Sequence, residues 1–151
     1  MNQSCIYRIS ISKKSGDKKT NIEHARLLTG FGIEGDIHSS TPRPVSLLPY
    51  ESFKKLDHPD LDINPGDFAE NITTIGLDFT RLNLGVHLKI GGTALLEIIQ
   101  IGKECHNECI IKEKVGECIM PDEGVFTRVV KGGEIVPGDS ITIVEYFKNC
   151  I

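Results

Sequence analysis

Apolar and polar residues alternate with a period of two in several short runs along the chain. Tyr7, Ile9 and Ile11 alternate with Ile6, Arg8 and Ser10, which predicts a first strand with one apolar face. Ala25 to Leu28 and Val45 to Leu48 are further strand candidates. Val86, Leu88 and Ile90 alternate with His87 and Lys89, and Gly91-Gly92 turns the chain into Thr93 to Ile101. That last run is largely apolar, so burial on both faces is expected. Val125 to Val130, Ile135-Val136 and Ser140 to Tyr146 repeat the pattern, separated by Lys131 to Glu134 and Pro137-Gly138-Asp139. Helical signal is thin. Pro49 to Asp57 has room for two turns, with Pro49 placed early, and Leu77 to Leu82 and Ile110 to Val115 for one each. The basic stretch Lys13 to Thr20, with Gly16-Asp17, predicts an exposed loop. Glycines and prolines sit mostly between the apolar runs, as a meandering sheet requires. The pattern predicts a mainly β domain, a closed or partly closed β-barrel with a few short helices.

The length of 151 residues suits one domain, residues 1–151. A globule of this size buries roughly 70% of the surface of its unfolded chain and needs no disulfide or metal to fold. With 39% hydrophobic and 25% charged residues the composition is that of an ordered chain. A net charge of −4 argues against a general nucleic-acid binder, which requires a basic face to release phosphate counterions. Arg8 and several polar residues interrupt Met1 to Ser12, so no export signal is expected there. No apolar run approaches the ~20 residues that span a bilayer. Five cysteines, an odd number, then read as reduced thiols in the cytoplasm. On that reading the acceptor pattern Asn71-Ile72-Thr73 is not glycosylated.

The densest group of reactive side chains is Lys103-Glu104-Cys105-His106-Asn107-Glu108-Cys109, followed by Cys118. Lys103 and His106 flank Cys105 just after an expected buried strand. Neighbouring cations lower a thiol pKa and make the thiolate nucleophilic. Three readings stay open: a reactive Cys105, a set of buried packing thiols, and a metal site of Cys105, His106, Cys109 and Cys118. For zinc the spacing is poor, since structural sites usually use two C-x₂₋₄-C knuckles and only one C-x₃-C pair, Cys105 and Cys109, is present. Cys5 and Cys150 lie near the chain ends and carry no expected role, nor do the lone histidines His24, His58 and His87.

A second group is Gly32-Ile33-Glu34-Gly35-Asp36-Ile37-His38, whose glycines allow a tight turn with exposed N–H groups. It serves either as an anion cradle or only as a connection. Arg43 follows closely and is suited to pair an anion. Pro65-Gly66-Asp67-Phe68-Ala69-Glu70-Asn71 is a further turn, with Glu70 and Asn71 facing a site or only backbone.

Taken in order, five blocks resemble a stand-alone MOSC domain, the module also found at the C-terminus of eukaryotic molybdenum cofactor sulfurases. They are Gly32 to His38, Arg43 to Leu48, Pro65 to Gly76, Leu95 to His106 and Glu123 to Asp139. The resemblance implies a MOSC-type β-barrel and a molybdenum–pterin cofactor (molybdopterin). Carried over by motif, Cys105 handles sulfur as a persulfide carrier or ligates molybdenum. Asp36, His38, Arg43 and Asn71 map to the remaining site residues, with Arg128 and Lys103 as phosphate partners and His106 beside the thiol. The chain departs from the pattern at Ser40 and Pro44, and Pro44 forces Arg43 into an extended conformation.

The resemblance thus implies binding of the cofactor in its maturation, sulfuration or transfer. Expected partners are a cysteine desulfurase, cofactor biosynthesis proteins or a molybdoenzyme. Pyridoxal phosphate is expected only on a partner desulfurase, not on this chain. The alternatives are a non-catalytic binding or interaction module, and a molybdenum-dependent redox component, for which this chain offers no electron-donor motif.

Overall fold

The computed structural model describes residues 4–14, 18–56, 64–102 and 124–144. Ten strands occur among them: β1 (Cys5–Ile11), β2 (Thr20–Ile22), β3 (Ala25–Leu27), β4 (Val45–Pro49), β5 (Ile72–Ile75), β6 (His87–Ile90), β7 (Ala94–Ile101), β8 (Val125–Lys131), β9 (Gly133–Ile135) and β10 (Ile141–Val144). Short 3₁₀ helices cover Tyr50–Leu56 and Phe79–Arg81, where the sequence predicts helical turns. Asp78 caps the second by accepting from the Thr80 N–H. Ile110 to Val115 lies outside the described residues, as does the end of the expected last strand. None of the described helices is long and apolar enough to cross a membrane.

Eight strands form one mixed sheet in the order β10-β6-β7-β8-β4-β5-β1-β2, and β3 pairs with β9 in a second, small sheet. The mainly β expectation holds, but the large sheet does not close into a barrel. Among the described residues, β1 meets the β10 edge of the sheet at an isolated bridge between Cys5 and Ser140, supported by Ile6 N–H to Asp139 O (2.9 Å) and Ile141 N–H to Ser4 O (2.9 Å).

The side of β1 that faces the core changes partway along the strand. Simple alternation puts Ile6 opposite Ile9, yet both are buried, at 1% and 0% exposure. The register of β1 on β5 shifts between Ile6 and Arg8, and this bulge moves one residue out of phase so that both isoleucines reach the core. On β7 the alternation is intact: Ala94, Leu96 and Ile98 are buried while Leu95, Glu97 and Ile99 are half-buried. The apolar run therefore buries one face fully and the other only in part. Every residue of β4 is buried, because β4 runs between β8 (antiparallel) and β5 (parallel) in the middle of the sheet.

The parallel pairing of β4 and β5 positions the site. Parallel neighbours require a crossover, so the chain after β4 must return to the end where β4 began. The turn before β5 thus arrives beside Ser46, and Asn71 N–H donates to Ser46 O (3.1 Å). A row of aromatic rings, Tyr7, Tyr50, Phe53 and Phe68, with centroids 4.4, 5.5 and 5.3 Å apart, packs this crossover against β1.

Candidate functional site

The Gly32 to His38 turn carries Asp36 inward. Four of its N–H groups are engaged within the protein: Gly32 N–H donates to Ser39 Oγ, Glu34 N–H to Arg26 O, Asp36 N–H to Ile33 O and Ile37 N–H to Ser12 O. The turn contributes the side chains of Asp36 and His38 to the site. Gly32 is required by packing, since a Cβ there would lie 2.6 Å from Pro44 O.

Asp36 lies beneath the surface with both oxygens occupied. Oδ1 accepts from Lys19 Nζ (2.7 Å) and Ser12 N–H (3.0 Å), and Oδ2 from His38 N–H (3.2 Å). The side chains of Lys19 and Asp36 are both fully buried. Burial pushes the Asp36 carboxyl up. It is outweighed by the Lys19 hydrogen bond, the Ser12 N–H, the Lys19 charge and a hydrogen bond from Asn71, which together hold the carboxyl below its ordinary value.

Lys19 corrects the expectation of an exposed basic loop. Lys13, Lys14 and Lys18 are exposed, whereas Lys19 points inward. Its backbone is clamped by the Pro65 to Asn71 turn. Lys19 N–H donates to Gly66 O (2.9 Å), and a Cβ at Gly66 would sit 2.3 Å from Lys19 O. Gly66 also has φ +98°, a conformation that favours glycine.

The same turn holds Glu70 and Asn71. Glu70 is fully buried and faces backbone: it accepts from Gly66 N–H (2.9 Å), Phe68 N–H (3.2 Å) and Thr73 Oγ1 (2.9 Å). Burial pushes its carboxyl up to about 7 against those hydrogen bonds. They also brace Ala69, a non-glycine residue held at φ 63°. Asn71 ties three segments together. Its Oδ1 accepts from Ser46 N–H (3.1 Å), and its Nδ2 donates to Ser10 O (3.1 Å) and supplies the Asp36 hydrogen bond. At 1% exposure, Asn71 is not presented for glycosylation.

Above this network opens a pocket of about 260 Å³ lined by His38, Thr41, Pro42, Arg43, Ser46, Ala69, Asn71 and Phe126. His38 is half-buried at its edge, with Nδ1 3.0 Å from Lys19 Nζ. The Arg43 guanidinium lies over the Phe126 ring, 4.9 Å from its centroid. Pro44 therefore leaves Arg43 in the pocket.

Of the residues expected to form a site, the structure brings together Asp36, His38, Arg43 and Asn71, with Asp36 beneath the pocket and the others lining it. Arg128 stands elsewhere: more than half exposed on β8, it ion-pairs across the ladder with Glu97 of β7. Lys103, Cys105, His106, Cys109 and Cys118 lie outside the described residues. Among the described residues no three His, Cys, Asp or Glu side chains cluster as metal ligands. Lys19, Ser46 and Phe126 are additions that sequence reasoning missed. Nothing in the sequence separates Lys19 from its neighbouring lysines, because its burial depends on Gly66 and Asp36, which are distant along the chain.

Comparison with known proteins agrees with this picture. The family model of the MOSC domain matches residues 34–142. The fold is similar to that of the YuaD protein of Bacillus subtilis (TM-score 0.73, 17% identity, covering 97% of this chain and 98% of that one). It is similar also to YiiM of Geobacillus stearothermophilus (TM-score 0.73, 22% identity, 98% and 78% covered). YiiM of Escherichia coli superposes with a TM-score of 0.60 at 18% identity, with 97% and 71% covered. No curated protein matches the sequence.

Proposed function

This chain belongs to the MOSC domain family, and we propose that it binds a molybdenum–pterin cofactor and handles sulfur in that cofactor's maturation, sulfuration or transfer. The observation that carries the reading is convergence: His38, Arg43 and Asn71 come from three separate sequence blocks and line one pocket. The donor set fits the anionic end of such a cofactor, because a guanidinium and an imidazole are suited to phosphate oxygens. At about 260 Å³ the pocket is smaller than the roughly 300–1,000 Å³ usual for whole ligands, so it takes one end of the molecule.

Cys105 falls in the block Leu95 to His106 and inside the matched residues 34–142, which supports it as the sulfur-handling residue. The bound cofactor would supply a molybdenum centre that accepts soft sulfur ligands. In this reading Arg43 holds the phosphate, with His38 beside it. The Cys105 thiolate attacks the outer sulfur of a persulfide on a partner cysteine desulfurase. An S–S bond forms at Cys105, the partner's S–S bond breaks, and the partner's cysteine leaves as thiolate. Pyridoxal phosphate stays on that partner, and a molybdoenzyme or a cofactor biosynthesis protein receives the product.

A non-catalytic binding module is the second reading. It is favoured by the engagement of Asp36 with Lys19, Ser12 and Asn71, which leaves the site's carboxylate no proton to exchange with a ligand. One experiment separates the two. Protein purified anaerobically from a molybdenum-replete host is analysed for metal and pterin, then for intact mass after incubation with a desulfurase and cysteine. A mass gain of one sulfur atom that is lost in Cys105→Ala supports sulfur handling. Molybdenum and pterin without that gain support the binding module. Neither molybdenum nor the mass gain overturns the proposal.

A further inference from the structure

We infer that Lys19 is a positioning residue that locks His38 as the neutral Nε2–H tautomer, making the imidazole a hydrogen-bond donor at the pocket. The argument rests on where each proton can go. An ammonium has three N–H donors and accepts nothing. Lys19 Nζ has three neighbours: Asp36 Oδ1 at 2.7 Å, His38 Nδ1 at 3.0 Å and Ser12 Oγ at 3.2 Å. The carboxylate can only accept. The Ser12 hydroxyl donates to Lys14 O (3.3 Å), so toward Lys19 it accepts as well. The third ammonium proton is therefore directed at Nδ1, which must carry a lone pair. The ring proton then resides on Nε2, the nitrogen away from Lys19.

The charges around the ring agree. A proton on Nδ1 would face the ammonium at 3.0 Å. Among the described residues the carboxylate that faces Nδ1, through Asp36 Oδ2, is 3.8 Å away, beyond hydrogen-bond reach, and its charge is matched by Lys19 itself. Lys19 cannot swing away to release the ring, because its side chain is fully buried and its backbone is held by Gly66. With Nδ1 engaged by Lys19, all that the His38 ring can offer a ligand in this pocket is a donor, which together with Arg43 favours an acceptor-rich group such as a phosphate or other oxyanion. That consequence rests on the reading of this pocket as the ligand site; the tautomer does not.

The test is long-range ¹H–¹⁵N correlation spectroscopy of the His38 ring in the ligand-free protein, so it is independent of any cofactor. Expected is a pyridine-like Nδ1 and a pyrrole-like Nε2. An Nδ1–H tautomer, or an imidazolium at neutral pH, overturns the inference without variants. The charge-neutral pair Lys19→Met with Asp36→Asn should give averaged nitrogen shifts from mixed tautomers, while Lys19→Arg should restore the single tautomer. An unchanged His38 spectrum in the folded double variant overturns the role of Lys19. Titration with inorganic phosphate then tests the ligand class separately: a shift of the Nε2 resonance supports it, and no shift overturns that part alone.

Discussion

Lys19 Nζ and Asp36 Oδ1 lie 2.7 Å apart with both side chains fully buried, although seventeen positions separate them in sequence. This ion pair joins the segment before β2 to the turn beneath the pocket. A buried pair adds little net stability over an apolar pair, but losing one member leaves a bare charge.

Lys19→Met should therefore destabilise the fold by about 3–5 kcal/mol. Adding Asp36→Asn in the same chain should recover a large part of the loss. Urea denaturation of the two variants and the parent gives the coupling directly. Equal midpoints for the single and double variants would count against a charge-based cause.

Glu70 gives the stability an unusual pH dependence. Its carboxyl rises from 4.5 to about 7 on folding because burial disfavours the charge. The native state thus binds more protons than the unfolded chain between those values, and stability falls as pH rises through the window. The shift corresponds to about 3 kcal/mol. Asp36 has the opposite sign: its lowered carboxyl stabilises above the unfolded value, and that stability is lost as pH falls through the folded one. Glu70→Gln should remove the decline between about pH 4.5 and pH 7, whatever it does to stability overall. Denaturation midpoints at intervals across the window measure it.

Asn71→Ala should strand the Ser46 N–H and the Ser10 carbonyl, at about 1–3 kcal/mol for each buried group. Asn71→Asp keeps an acceptor for Ser46 but sets a second carboxylate beside Asp36. Its penalty should shrink as pH falls and one of the two takes up a proton. Thermal melts of both variants at neutral and acid pH distinguish these effects.

Two glycines with the same φ separate backbone strain from crowding. Gly66 and Gly138 both have φ +98°, but a Cβ at Gly138 meets nothing within 4 Å, whereas at Gly66 it meets Lys19 O at 2.3 Å. Gly138→Ala should cost about 1–2 kcal/mol from the backbone alone. Gly66→Ala should cost several times more, because the clash is with main chain and displaces Lys19. Chemical denaturation of the pair is sufficient.

Arg43→Ala tests the pocket. Stability should change by no more than about 1 kcal/mol, the value of its stacking on Phe126. Phosphate binding, followed by calorimetry, should weaken about tenfold or more through loss of a charge-assisted hydrogen bond. Arg43→Lys should restore it only in part, since a point charge lacks the planar fork.

Much of the fold was legible in the residue pattern. Apolar runs bounded by turns, alternating in β6, marked β4, β6, β7 and β8 close to their observed limits, because each packs apolar side chains on a single core. Two strands were not legible, and β9 begins two residues earlier than expected, at Gly133 inside the expected turn. The polar Thr20-Asn21-Ile22 becomes β2 only by pairing with the end of β1, and Ile72–Ile75, where the pattern predicts no element, becomes β5 by pairing with β4 and β1.

The sequence by itself determined the class of the domain, since strand periodicity and turn chemistry are local properties, and the resemblance of its motif blocks to the MOSC family singled out Asp36, His38, Arg43 and Asn71. Tertiary structure alone decided how those residues relate. The bulge in β1, the bridge between Cys5 and Ser140, the pairing of Arg128 with Glu97 and the burial of Lys19 under His38 all depend on contacts between segments far apart in the chain. A lysine in a basic loop is solvated unless a buried carboxylate and a glycine shaped to its backbone are brought to it, and only the fold brings them.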